Sequence, residues 1–474
     1  MTLARQVAWN TMSQTFARIG VLGLGVVTTV LLTRYLGVAS YGDYVIVSVY
    51  VSLFAVVFDW GIPTMLAREL PRLDRPDELA GKALALRLTL AVPTCLLAGL
   101  VALALYAGGD EEQARNGILL ALPTIVAVAL LNTLVPIFQI RLKMDRVAAA
   151  EICAQIVGTA AIVLLVVADR SFYELVLATV LMSATYAALV YAFARPLARV
   201  RLSFDTQAWR RLLRIALPLG IAIVIGTIYI RADALILSLL KDSHDVGIYG
   251  VAYRFFEMTI PFPAFFLAPV FPLLSAAAVR GTGLGEFTQL LQRSFDVMMI
   301  AAVLVVAVTV PLAPDMVRIV AGEEFADSTV PLRILMIGAA FAFLASLLIF
   351  ALIALDRQRN VLVLTLVALV VNLGLNFALI PRFSYTAAAT IATATQFVIV
   401  LGALYFLWRL AAFVPSPRVV VRATLAGAAV FVALVFVPTS FAVSLVAGTA
   451  LYGLLLLALR IDRELDLGQL LRRA

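Results

Sequence analysis

Seven charged side chains stand inside stretches that are otherwise apolar: Arg18, Asp59, Arg87, Arg231, Asp233, Arg254 and Glu257. A charge in such surroundings is expensive and is kept where it meets a partner, a wet cavity or a ligand. The guanidinium forks of Arg18, Arg87, Arg231 and Arg254 suit phosphate oxygens, which they grip in pairs. Gln14, one helical turn before Arg18, adds an amide to that set as a candidate ligand contact. The carboxylates Asp59, Asp233 and Glu257 suit exchange of a proton or binding of Na⁺ as a coupling ion. A competing, purely structural reading has the charges neutralise one another: Arg254 with Glu257, three residues apart, and a pair such as Arg18 with Asp59. Arg87 lies near enough to a span end to snorkel, and four arginines against three carboxylates leave little net charge.

The spacing gathers these groups on polar stripes. Thr11, Gln14, Arg18, Gly25 and Thr29 share one helix face; so do Ser48, Ser52 and Asp59, and so do Gly220, Thr227, Arg231 and Ser238. At a rise of about 1.5 Å per residue, Arg18 falls roughly 16 Å into its span, near mid-bilayer. These stripes describe a water-filled central cavity with a cationic floor.

Covalent catalysis has no comparable foothold. His244 is the single histidine and sits in a short polar stretch, and Cys95 and Cys153 lie apart in apolar surroundings, so neither a metal nor a disulfide framework is expected. Arg280-Gly-Thr-Gly-Leu-Gly285 lacks the following Lys-Ser/Thr of a phosphate-binding loop and reads as a turn. No catalytic residue, metal ligand or cofactor is assigned beyond H⁺ or Na⁺ as a coupling ion, and the chain reads as a non-enzyme.

The elements that must carry these residues are membrane helices. Of 474 residues 63% are hydrophobic and 14% charged, where a soluble domain has about 25% charged. Fourteen stretches are long and apolar enough to span a bilayer: 9–33, 44–67, 80–107, 116–140, 147–168, 174–195, 212–240, 247–277, 294–313, 330–355, 360–381, 386–411, 418–437 and 441–460. With the N-terminus in the cytoplasm, the inside segments carry 25 Lys/Arg and the outside loops seven, as the positive-inside rule requires. Both termini are then cytoplasmic, and the start of the chain lacks the form of a signal peptide.

The fold class is thus all-α and integral to the membrane. The spans divide into a six-helix lobe over 1–195, a basic cytoplasmic linker over 196–211 whose Trp209 suits the interface, a second six-helix lobe over 212–411, and an addition over 412–474 holding the last two spans and a tail. Tyr41-Gly42 and Tyr249-Gly250 mark corresponding turns, Gly37–Tyr44 and Asp245–Tyr253, in the two halves, which gives the lobes a parallel repeat. Prolines crowd the eighth span at Pro261, Pro263, Pro269 and Pro272, as in a helix that flexes. Asn372 and Asn376 read as glue between helices.

Three motifs carry a family resemblance: Phe58-Asp-Trp-Gly-Ile-Pro63 followed by Ala67-Arg-Glu-Leu70; Gly322-Glu-Glu-Phe-Ala-Asp-Ser328 followed by Leu332-Arg-Ile-Leu335; and Asn372-Leu-Gly-Leu-Asn376 followed by Leu379-Ile-Pro381. In order and spacing they resemble the Wzx-type polysaccharide flippases of the multidrug/oligosaccharidyl-lipid/polysaccharide superfamily. Ser384-Tyr-Thr-Ala-Ala-Ala389 departs from the Gly-Ala-Ala usual there. The resemblance implies two lobes around a central cavity, alternating access, and undecaprenyl-diphosphate-linked oligosaccharide carried from the cytoplasmic to the periplasmic leaflet of a bacterial inner membrane. It also implies coupling to an H⁺ or Na⁺ gradient, and other polysaccharide-assembly proteins as partners; nucleic acid is not expected. A drug or cation exporter of the same superfamily would prefer an acidic pocket. A polysaccharide-processing membrane enzyme would show a large outer loop or a catalytic histidine.

Overall fold

The computed structural model describes residues 3–73, 76–108, 111–198, 200–279, 284–437 and 439–459. The basic residues Arg75, Arg199, Arg280, Arg460, Arg463, Arg472 and Arg473, the start of the glycine-rich turn and the C-terminal tail lie outside the described residues, as does the side chain of Thr11. Among the described residues the chain is helical and contains no strand.

Fifteen α-helices follow in order: α1 Leu3–Asp59, α2 Ile62–Glu69, α3 Pro76–Leu105, α4 Glu112–Ala121, α5 Pro123–Ile140, α6 Met144–Val167, α7 Phe172–Ala194, α8 Thr206–Leu240, α9 Ser243–Thr259, α10 Pro261–Val279, α11 Gly285–Val320, α12 Thr329–Ala354, α13 Gln358–Ala411, α14 Pro417–Phe436 and α15 Phe441–Ala458. Twelve helical segments among the described residues are long and apolar enough to cross a bilayer. Two of these are too long to cross only once: the span-length part of α1, Met12–Asp59, has 48 residues and α13 has 54, against about 20 for one crossing. Each is broken at one residue, α1 at Gly37 (φ 69°, ψ −179°) and α13 at Ser384 (φ 47°, ψ −135°). Counting both arms of each, the described residues supply the fourteen spans expected from the sequence.

The chain reverses at Gly37. The Tyr35 hydroxyl donates to the Arg170 carbonyl (2.6 Å) at the α6–α7 turn. By Tyr50 the returning arm has reached α3, where the phenol donates to the Ala98 carbonyl (2.6 Å).

The repeated Tyr-Gly lies elsewhere than expected. Both copies sit in helix just beyond the break, and the second turn is confined to Lys241 and Asp242, because Asp242 caps α9 by accepting from the Asp245 amide (3.0 Å). The second span also ends earlier than 67: Trp60 (φ 47°) and Gly61 (φ 70°) are left-handed and separate α1 from α2.

Hydroxyls in the apolar interior are satisfied along their own helices. Thr29 and Thr33 donate to the Gly25 and Thr29 carbonyls, 2.9 Å each, which removes the cost of a bare donor in hydrocarbon. Asn372 and Asn376 are linked along their own helix as well, although the Asn376 side-chain oxygen is buried without a hydrogen-bond partner among the described residues. Both are buried, and the Asn376 amide donates to the Asn372 side chain at 2.9 Å, so this bond runs along α13 rather than between helices.

The helices pack as two compact units, Met1–Gly247 and Ile248–Ala474. The first contains α1 to α8 and the start of α9. Its core joins Ile62, Leu66, Leu86, Leu134, Phe138 and Val190 to Leu212 and Ala216 of α8. The unit boundary by packing therefore falls after α8, while the basic linker precedes it. In the second unit, Val308 and Leu312 of α11 pack with Val430 of α14 and Tyr452 of α15.

The basic linker is strapped to the first unit. A Cβ at Gly81 would collide with the Arg201 carbonyl, so the strand of chain before α8 lies directly on α3. The Trp209 indole donates to the Lys82 carbonyl (3.0 Å), and Lys82 pairs with Asp205 (2.9 Å). Asp205 caps α8 through the Ala208 and Gln207 amides at 2.9 and 3.1 Å. The Ala208 amide first, then Lys82, and last the Gln207 amide hold the Asp205 carboxyl below its ordinary value. The stabilisation is therefore present above about pH 4 and is lost as pH falls through the depressed value. Acidification below pH 4 is expected to red-shift tryptophan emission as the strap releases Trp209, and D205N should show the shifted emission already at pH 7.

Candidate functional site

A buried charge centre forms in the first unit. Asp59 ends the returning arm of α1, and one carboxylate oxygen accepts from the Arg87 guanidinium of α3. The other accepts from the Asn132 amide of α5 at 2.6 Å. The Phe58 ring lies 5.8 Å from the guanidinium carbon. Arg87 is 0% exposed and is the largest fully buried side chain among the described residues. It does not snorkel: it points into the bundle because Asp59 is there to receive it. The pair that forms is Arg87 with Asp59 rather than Arg18 with Asp59. Two Arg87 donors, Nε and one terminal NH₂, have no hydrogen-bond partner, so the centre is incompletely satisfied.

The centre rests on the left-handed Trp60–Gly61 break. A Cβ at Gly61 would lie 2.7 Å from the Gly220 nitrogen of α8, and a Cβ at Gly220 would run into the Trp60 backbone. Two glycines therefore let α8 touch the break backbone to backbone, next to Pro218, which is inside α8. Gly61→Ala and Gly220→Ala are each expected to cost about 1–3 kcal/mol. Gly61→Ala should cost more because it also forces a side chain onto φ +70°. Midpoints of thermal unfolding in detergent would check the order.

Arg18 stands apart from this centre, with Glu151 of α6 and Tyr186 of α7 within electrostatic range. Arg18 and Gln14 are accessible on α1. In α8, Arg231 is half-buried, while Asp233 is buried at 3% exposure and accepts from the Ala234 amide (2.9 Å). In the second unit Arg254 and Glu257 pair at 3.2 Å, as their spacing predicts.

Asn132 and Glu151 were not foreseen. Asn132 is a lone amide in the apolar run Ala127–Leu134, a visible but unspecific signal. Glu151 lies near the start of its span and reads there as an interfacial residue.

Broken apolar helices with arginine–carboxylate couples inside their spans define a multi-pass membrane fold, and comparison with solved structures shows which fold it is. The fold matches "Lipid II flippase MurJ, inward closed conformation" with a TM-score of 0.79 at 13% identity, over 96% of this chain and 99% of that one. It matches an inward-facing multidrug resistance MATE family transporter of the MOP superfamily at 0.64 and 14% identity, over 83% and 94%. It also matches a MOP superfamily transporter from Pyrococcus furiosus at 0.56 and 16% identity, over 90% and 95%. No curated protein matches the chain. The family model described as "Polysaccharide biosynthesis protein" matches residues 3–278. The chain belongs to that family.

Proposed function

We propose that the chain flips a polyprenyl-diphosphate-linked oligosaccharide, the undecaprenyl form in bacteria, from the cytoplasmic to the periplasmic leaflet of the inner membrane, supplying polysaccharide assembly such as that of O-antigen or exopolysaccharide. Membership of the polysaccharide biosynthesis family is the observation that carries this reading. Arginines within the spans support it, because a diphosphate needs bidentate cationic donors as it leaves water. Arg18, Arg231 and Arg254 keep accessible or half-accessible guanidinium groups for that role.

Transport runs by alternating access and draws on an H⁺ or Na⁺ gradient, with antiport as the working scheme. Asp233 and Glu257 are the coupling carboxylates together with Asp59, whose bond to Arg87 ties its charge state to the α1 break. Both termini face the cytoplasm.

Gene deletion followed by mass spectrometry of membrane lipids tests the cargo. A build-up of polyprenyl-diphosphate oligosaccharide, protected from reagents added outside, is expected. Unchanged lipid intermediates with lost export of cationic dyes would instead identify a MATE-like exporter.

A further inference from the structure

We propose that Glu151 of α6 and Tyr186 of α7 form, beside Arg18 of α1, a subsite for the sugar attached directly to the diphosphate, and that this subsite takes a neutral sugar with neighbouring hydroxyls. The inference rests on the lipid-linked cargo proposed above. Two contacts set the heights of the three groups. The Thr28 and Thr159 hydroxyls bond at 3.0 Å, and Tyr35 meets the Arg170 carbonyl further along, so the first arm of α1 and α6 run in the same direction. Arg18 and Glu151 both precede the threonine contact, and at about 1.5 Å per residue they lie level to within about 3 Å. Glu151 is thus a mid-span carboxylate, not an interfacial one. On its other side, a Cβ at Gly158 would run into the Met182 side chain at 2.7 Å. Glu151 shares the face of Gly158 on α6, two turns away, and Tyr186 shares the face of Met182 on α7, one turn away. The two helices are antiparallel, so both side chains fall on the same side of that crossing.

The three groups converge without closing on one another. Arg18 is exposed, and Glu151 and Tyr186 are half-buried. They lie within electrostatic range, yet among the described residues Arg18 and Glu151 form no ion pair and the Tyr186 hydroxyl has no hydrogen-bond partner. A mid-span carboxylate without a donor is costly, and a ligand placed between the three groups relieves it. An ionised carboxylate only accepts hydrogen bonds, so Glu151 reads hydroxyl donors, two at a time where they are neighbours on a ring. The same charge repels a sugar that carries a carboxylate of its own. The Tyr186 ring offers an apolar face to the C–H face of a pyranose and a phenol at its edge. Arg18 grips phosphate oxygens. Because Glu151 stands level with Arg18, the sugar within its reach is the one bonded to the diphosphate and not a distal one.

The test titrates the purified full chain with three lipids and reads binding by native mass spectrometry: bare polyprenyl diphosphate, the same lipid bearing one neutral hexose, and the same lipid bearing one hexuronic acid. The unaltered chain should prefer the neutral hexose over the hexuronic acid by at least about tenfold. Glu151→Gln, which keeps the shape and removes the charge, should erase that preference without weakening bare polyprenyl diphosphate. Tyr186→Leu should weaken the neutral-hexose lipid about tenfold and leave the bare lipid unchanged. Arg18→Ala should weaken all three. A sugar preference that survives both Glu151→Gln and Tyr186→Leu overturns the subsite and leaves the cargo reading standing, as does an unaltered chain that binds both sugar lipids equally. Binding of none of the three lipids overturns the cargo reading and the subsite together.

Discussion

Asp59→Ala is expected to destabilise the first unit more than removal of any other side-chain partner there. It leaves the Arg87 guanidinium, 0% exposed, without the carboxylate it pairs with among the described residues. Breaking a buried pair from one side costs about 3–5 kcal/mol, because the remaining charge has neither water nor counter-ion. Arg87 already has two donors without partners, so little is left to compensate. Unfolding midpoints in detergent should drop steeply and membrane levels should fall. Asn132→Ala, which removes one donor to a charged acceptor, should cost less, about 1.5–3 kcal/mol. The double change Asp59→Leu with Arg87→Met should recover most of the stability, since apolar replacement of a whole buried pair is often neutral. A double variant no more stable than Asp59→Ala would show that the pair is not what holds α1 to α3. Stability recovered without transport would separate a working role from a structural one.

Arg18→Ala and Arg231→Ala are expected to show the opposite pattern, with normal insertion and lost transport. Arg18 is accessible and Arg231 half-buried, whereas Arg87 is fully buried, so truncation is expected to disturb the packing of the bundle less. Each supplies bidentate donors to a dianionic group that must be held away from bulk water, and losing one such charge-assisted pair is worth about 3 kcal/mol, or roughly a hundredfold. Complementation of a deletion strain, with protein level measured alongside, reads both quantities. Arg18→Lys should retain part of the activity, because charge survives where the planar fork does not. Full complementation by both alanine variants would return these arginines to a structural role.

What the sequence made legible was whatever is local. Spans are long runs of one property, so fourteen apolar stretches emerged with their order intact. Arg254 and Glu257 pair because they are one turn apart on one helix, and spacing alone predicts that contact. Arg87 and Asp59 are 28 residues apart on different helices; a hydropathy pattern contains no information about which helices become neighbours, so Arg87 read as a snorkelling residue. The same blindness hid Asn132 and Glu151, whose partners arrive from elsewhere in the chain. Turn geometry was misplaced for a related reason. Tyr-Gly looks like a loop in isolation, but Asp242 caps α9 ahead of it, and the glycines are needed for close approach rather than for bending. The assignment of α8 to the first unit depended on Leu212 and Ala216 entering its core, which charge alternation cannot reveal.

The single-residue breaks at Gly37 and Ser384 have a consequence for biogenesis. Two spans joined by one non-helical residue cannot leave the insertion machinery far apart in time; each pair has to enter the bilayer as a hairpin, the second arm following within seconds of the first. The charge difference that orients the protein must then be read across the pair as a whole, from the segments flanking residues 12–59 and 358–411. Such tight reversals also expose no extended chain to proteases or to tags. An epitope inserted beside Gly37 would have to unwind the arm that carries Gly42 and Asp43, whereas one placed in the longer connection at 412–416 interrupts no helix.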